Sequence, residues 1–236
     1  MGIAENVMQV KEKIAAAALA CGRKPEDITL VGATKMNDAS RVREAIAAGL
    51  EYCGENRVQE LTEKNAQGAY EGSHLHFIGH LQKNKVKYLV GTVELIHSVD
   101  TVELAAEINK RACAQGIVQD ILLEVNIGAE EAKSGFAPGE LPAALDKISA
   151  FVGVRVLGLM AIPPVCQNSE ENRPYFAKMR KLFVDIGDEE KYNNVIMGIL
   201  SMGMSSDYET AISEGATMVR VGTGIFGARD YGAAAK

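Results

Sequence analysis

Short apolar runs alternate with amphipathic stretches along the whole chain. Ile3, Val7, Val10, Ile14 and Cys21 recur at helical spacing, and Gly22 follows as a stop. This pattern predicts an N-terminal helix. Residues 28–34 are rich in β-branched side chains and read as a strand. Val42, Ala45 and Ile46 form the inner face of a helix that Gly49 closes. The cycle then repeats. Strands are expected at 51–54, 75–78, 94–99, 121–127, 154–162, 195–202 and 217–222. Helices are expected at about 56–67 and 82–90, then after the D-x-x-E capping pattern Asp100-x-x-Glu103. Another is expected at about 139–150. Phe176, Met179, Phe183 and Ile186 mark the next, and Ser206-x-x-Glu209 opens a short one that Gly215 closes.

Eight strands in strict alternation with helices imply a parallel sheet with right-handed crossovers. The expected fold is a single α/β domain over residues 1–236, a (β/α)8 barrel with an extra N-terminal helix. A doubly wound open sheet is the alternative architecture. No linker or composition break divides the chain.

Composition narrows the function classes. The 236 residues carry 25 Lys+Arg and 31 Asp+Glu, a formal charge of −6. An acidic chain is a poor general binder of nucleic acid or anionic membrane. No apolar run reaches the roughly 18 residues of a spanning helix. The start of the chain lacks the pattern of a signal peptide, so a cytoplasmic protein is expected. Cys21, Cys53, Cys113 and Cys166 are widely spaced and read as reduced thiols.

In such a barrel, chemistry sits at the C-terminal ends of the strands. Lys35 ends the first strand on the face of Val31 and Ala33. A lysine in a dry site has a lowered pKa and can form a Schiff base with an aldehyde. The ordinary alternative is a lysine whose stem packs inward while its head reaches water. Ser201, Ser205 and Ser206, with Gly222-Thr223-Gly224 after the last strand, suit a bound dianion. Helix capping and turn glycines would explain them equally. Arg220 lies inside an apolar strand on the face of Met218, where it requires either a ligand or an internal ion pair. Pyridoxal 5′-phosphate would satisfy all three features. Its aldehyde would join Lys35 as an internal aldimine, its phosphate would fill the cup, and its ring nitrogen would face Arg220. A guanidinium partner keeps that nitrogen unprotonated and restrains carbanion chemistry.

The motifs VGATK around Lys35, YCGENRVQE around Asn56 and HFIGHLQKNK from His76 carry a family resemblance. So do LLEVNIGAEEAKSGF from Leu122, GLMAIP around Met160, and the closing block from Leu200 to Tyr231. Together they resemble the YggS/PROSC family of pyridoxal phosphate homeostasis proteins. The resemblance implies the alanine-racemase type of TIM barrel (PLP fold type III), with the cofactor on Lys35. It implies phosphate contacts at Ser201, Ser205, Gly222 and Thr223, a ring-nitrogen partner at Arg220, and pocket walls at Asn56 and Met160. Met36-Asn37 and Leu75 depart from residues common in the family.

The expected role is to hold pyridoxal phosphate for vitamin B6 and amino-acid balance, with little or no turnover. Racemases of this fold carry a second domain that contributes a tyrosine base, and this chain stops after the eighth unit. Two positioned bases are needed to racemise. The alternative is a racemase-like enzyme. Candidate partners are PLP-dependent apo-enzymes and free amino acids, and a monomer is expected. A weaker alternative is a metal-dependent barrel hydrolase using His74-x-His76, His80 and His97. Lys83, Lys85 and Lys87 read as a solvated face or a docking patch. The loop 128–139 reads as surface or as a lid.

Overall fold

A computed structural model of the chain describes residues 2–130, 133–166, 168–189 and 191–227. Eight parallel strands close into a barrel in sequence order. They are β1 (Thr29–Ala33), β2 (Tyr52–Glu55), β3 (His74–Phe77), β4 (Leu95–Val99), β5 (Gln119–Val125), β6 (Val154–Ala161), β7 (Val195–Met204) and β8 (Met218–Val221). β8 pairs with β1, with Val31 opposite Arg220, which closes the ring. The open-sheet alternative is thereby excluded. Helix α1 (Ile3–Ala20) precedes the barrel and buries Ile3, Val7, Val10 and Ile14 of the expected stripe, whereas Cys21, the fifth residue of that stripe, lies at the C-cap beyond the last helical turn and is exposed. The helices that follow are α2 (Ala39–Ala47), α3 (Val58–Ala66), α4 (Val102–Gln115), α5 (Leu141–Ile148), α6 (Arg173–Asp188), α7 (Tyr208–Ser213) and α8 (Thr223–Phe226).

Strand alternation divides the core in two. Outward residues pack against the helices in one large cluster that includes Leu30, Cys53, Phe77, Ile96 and Val219. Inward residues form a smaller cluster of Val31, Ala33, Ile78, Leu95, Leu122, Met160 and Met218. The faces assigned to Val31, Ala33 and Met218 from the sequence are therefore the observed ones.

Three local expectations change. The helix expected at 82–90 is a 3₁₀ segment, Lys83–Tyr88, in which only Val86 is buried. One apolar anchor among three lysines gives a longer helix no stripe to bury. Helix α4 is capped by Thr101, whose side chain accepts from the Leu104 N–H at 3.2 Å, so the cap lies one residue after Asp100. Helix α7 starts after Asp207, not Ser206. The Asp207 carboxylate is engaged elsewhere, accepting from the Met204 N–H at 2.7 Å and the Asn172 amide at 2.7 Å. Residues 228–231 of the closing family block lie outside the described residues.

Candidate cofactor site

β1 ends at Ala33, and Lys35 sits in the turn that follows, partly buried. Met36 adopts φ +61°, a left-handed conformation that costs a non-glycine residue energy. Its N–H donates to Glu60 Oε2 at 2.8 Å, which pins the turn to α3. Thr34 is held still more firmly. Its carbonyl accepts from Lys64 Nζ at 2.8 Å, and its hydroxyl donates within a cluster formed by Glu55 Oε2 (3.1 Å) and the Gly54 carbonyl (3.2 Å). Lys64 and Glu55 form a buried ion pair at 2.7 Å, and the Tyr70 hydroxyl donates to the same carboxylate. Burial, then the Glu55 charge, pushes the Tyr70 phenol well above its usual range.

The loops after β7 and β8 form one cup. The Gly222 and Gly224 N–H groups both donate to Ser205 Oγ, at 3.1 and 3.3 Å. Two backbone donors converging on one oxygen are the arrangement an anion needs. Thr223 opens α8 in the same loop. A Cβ on Gly222 would lie 3.4 Å from the Ala33 Cβ, so the cup adjoins the end of β1.

Ser201 is placed differently from its neighbour. It is fully buried inside the barrel. Its hydroxyl accepts from Arg220 Nη1 at 2.5 Å and lies 3.1 Å from His97 Nδ1. The Ser201 hydroxyl thus faces the guanidinium, while Ser205 faces the cup. Arg220 is buried, and its Nη2 donates to the Ala161 carbonyl at 2.9 Å. Its hydrogen bonds among the described residues go to the Ser201 hydroxyl and the Ala161 carbonyl and to no carboxylate, so the internal ion pair is not the arrangement found. Burial lowers its pKa to about 10, and the more distant Glu124 and Asp207 oppose that shift.

Asn56 and Met160 share a cavity of about 280 Å³ on the C-terminal side, with Ile78, His80, Glu124 and Lys133. Asn56 Oδ1 is buried and has no hydrogen-bond partner among the described residues. Gly79 allows this close packing, because a Cβ there would fall 2.1 Å from the Asn56 carbonyl oxygen. Glu124 is buried in the cavity wall, and burial raises its pKa against the opposing bond from Ser134.

The sequence reading missed Glu124, the Glu55–Lys64 pair and the role of two histidines. His76 and His97 share the inward faces of Ile78 and Leu95, and His97 Nε2 lies 3.1 Å from His76 Nδ1. Alternation carries that signal, although the His-x-His spacing alone points to a metal pattern. His74 instead lies beside Glu94 at 2.9 Å, and His80 beside Asp100 at 3.4 Å. Among the described residues no group of three or more His, Cys, Asp or Glu could hold a metal. The loop 128–139 is tied by Asn126, whose amide donates to the Glu130 carbonyl at 2.8 Å. Two of its residues, Glu131 and Ala132, lie outside the described residues. Lys85 and Lys87 lie over the Tyr88 ring.

Comparison with known proteins decides the family. The alanine racemase N-terminal domain model matches residues 4–230. A pyridoxal phosphate homeostasis protein of Aquifex aeolicus is 46% identical, covering 98% of this chain and 100% of its own. The Escherichia coli K12 protein of that name is 39% identical, covering 97% of each. The chain belongs to the pyridoxal phosphate homeostasis protein family. A solved structure agrees. PipY of Synechococcus elongatus, with PLP bound, superposes with a TM-score of 0.82 at 32% identity, covering 95% of this chain and 100% of that one. The family barrel also matches an alanine racemase of Clostridium difficile, with a TM-score of 0.72. At 17% identity, with 57% of the racemase covered, that likeness is one of fold alone. Among the described residues no helix is long and apolar enough to cross a membrane.

Proposed function

We propose that this protein binds pyridoxal 5′-phosphate covalently through Lys35 and serves intracellular PLP homeostasis with little or no catalytic turnover. The observation that carries the reading is the convergence of the Gly222 and Gly224 N–H groups on one oxygen beside the end of β1. A bound phosphate would be held by the same two N–H donors and by the Ser205 hydroxyl, which can turn its proton toward it. The unpartnered Asn56 Oδ1 supports the fit, because a buried amide without a partner is costly unless a ligand completes it.

When bound, pyridoxal phosphate supplies an electrophilic aldehyde and an electron-accepting ring. The chain's own residues determine how much of that chemistry is used. Lys35 provides the amine, on a turn clamped through Thr34 and Met36. Among the described residues no carboxylate hydrogen-bonds the Arg220 guanidinium, so a ring nitrogen held against its positive charge would stay unprotonated. Met160 and Asn56 line the cavity and would flank the ring of a bound cofactor. The role fits a cytoplasmic protein whose partners are PLP itself, apo-enzymes or free amino acids.

One observation favours a second reading, a racemase-like enzyme. Glu124 is a buried carboxyl in the cavity wall whose raised pKa suits proton exchange. One experiment separates the two. Purified protein is titrated with PLP, then incubated with L- and D-amino acids. Homeostasis predicts saturable binding, abolished in Lys35→Ala, with no racemisation or transamination. Racemisation lost in Glu124→Gln would establish the enzyme instead.

A further inference from the structure

The barrel interior holds a polar chain that reaches Arg220 through two histidines the cofactor reading does not use. It runs along the barrel from His76 through His97 and Ser201 to Arg220. The links are 3.1 Å between the imidazoles, 3.1 Å from His97 to Ser201 and 2.5 Å from Arg220 to Ser201. All four residues are buried and come from four strands, β3, β4, β7 and β8. Apolar branched side chains usually fill this space, so four polar groups in contact call for a reason.

Charge gives the first part of that reason. Both imidazoles are neutral, because burial disfavours the imidazolium. It lowers His76 to about 4 and moves His97 well below its usual range, with the Arg220 charge adding to the effect at His97. Each neutral ring therefore has one donor and one acceptor. Ser201 already accepts from Arg220. If His97 donated to Ser201 as well, the Ser201 proton would be left without an acceptor among the described residues. The satisfied arrangement runs the other way. Ser201 donates to His97 Nδ1, and His97 Nε2–H donates to His76 Nδ1. His76 also lines a cavity of about 290 Å³ at the N-terminal mouth, together with Tyr52, Glu94 and Asp120.

We propose that His76, His97 and Ser201 are positioning residues that aim the Arg220 guanidinium without neutralising it. Each donor in the chain strengthens the next acceptor. Drawing the Ser201 proton toward His97 makes its oxygen a better acceptor for Arg220. A carboxylate at Ser201 would hold the guanidinium as firmly but would cancel the charge that faces the cofactor. The neutral chain fixes Nη1 while the Ala161 carbonyl fixes Nη2. The inference rests on the reading of Arg220 as the cofactor's ring-nitrogen partner.

Two measurements test it. The first uses cofactor-free wild-type protein and long-range proton–nitrogen NMR of the imidazoles at neutral pH. Both rings should be neutral and protonated at Nε2. A proton on Nδ1 of His97 overturns the proposal. The second compares PLP-loaded wild type, His97→Leu and His97→Asn by visible absorbance and by PLP affinity. His97→Leu should keep Lys35 labelling by borohydride but shift the absorbance band and weaken PLP binding about fivefold, the effect of one lost neutral hydrogen bond. His97→Asn retains an acceptor near the Nδ1 position and should restore the wild-type band. If His97→Leu matches wild type in band and affinity, the proposal fails while the cofactor reading stands. If wild type takes up no PLP, the cofactor reading fails and takes the proposal with it.

Discussion

Glu55 and Lys64 meet at 2.7 Å in the buried layer between the barrel and α3, directly behind the peptide that carries Lys35. The lysine amine is shared among the Glu55 carboxylate, the Thr34 carbonyl and, at 3.3 Å, the Glu60 carboxylate, and Glu55 Oε1 accepts from the Asn56 N–H at 2.7 Å. One ion pair thus locks the ends of β1 and β2, and with them two residues of the proposed site. Lys64→Met should destabilise the fold by about 3–5 kcal/mol, since it leaves a buried carboxylate unpaired. The double change Glu55→Gln with Lys64→Met should recover most of that loss. Chemical denaturation of the three proteins checks both outcomes.

The Lys35–Met36 turn stores strain of a different kind. Met36 holds φ +61° with a half-exposed side chain. Glycine adopts that conformation without the Cβ clash. Met36→Gly should therefore raise stability by about 0.5–1 kcal/mol despite the freer unfolded chain. A lower denaturation midpoint would show that the methionine side chain contributes packing that outweighs the strain.

The two buried histidines make stability depend on pH. An unfolded imidazole titrates near about 6.5, whereas His76 in the fold takes its proton only near about 4. Between those values the unfolded chain binds more protons than the folded one. Stability is therefore fully present above about pH 6.5 and is lost as pH falls toward 4, by about 3 kcal/mol for one such group. His76→Gln should flatten the pH dependence of the urea midpoint in that window.

The cup can be tested against its ligand's phosphate. Ser205→Ala removes the hydroxyl beside the Gly222 and Gly224 amides. Affinity for PLP should fall about tenfold, as expected for one hydrogen bond to a charged group. Affinity for pyridoxal, which lacks the phosphate, should not change. Parallel titrations with the two compounds decide the point.

Much of this could be read in the sequence because it follows local rules. Strand alternation alone placed Arg220 inward with Met218, and Val31 and Ala33 beneath Lys35. Helical spacing alone found the buried face of α1. What could not be read was pairing across the barrel. His97 and Ser201 are 104 residues apart in sequence and meet only because β4 and β7 face each other through the interior. That meeting also turns Ser201 toward Arg220, where motif position alone set it with Ser205. The helix starts were misjudged for a local reason. Thr101 and Asp207 lie one residue beyond Asp100 and Ser206, and adjacent cap-forming residues compete for the same role.

The proposed function turns on a covalent bond from Lys35 to pyridoxal phosphate. The most direct measurement is borohydride reduction of the PLP-loaded protein, followed by proteolysis and mass spectrometry of the labelled peptide. One reduced pyridoxyl label per chain is expected, on Lys35, and none in Lys35→Ala. A label on another lysine, or no label in protein shown to be folded, would contradict it.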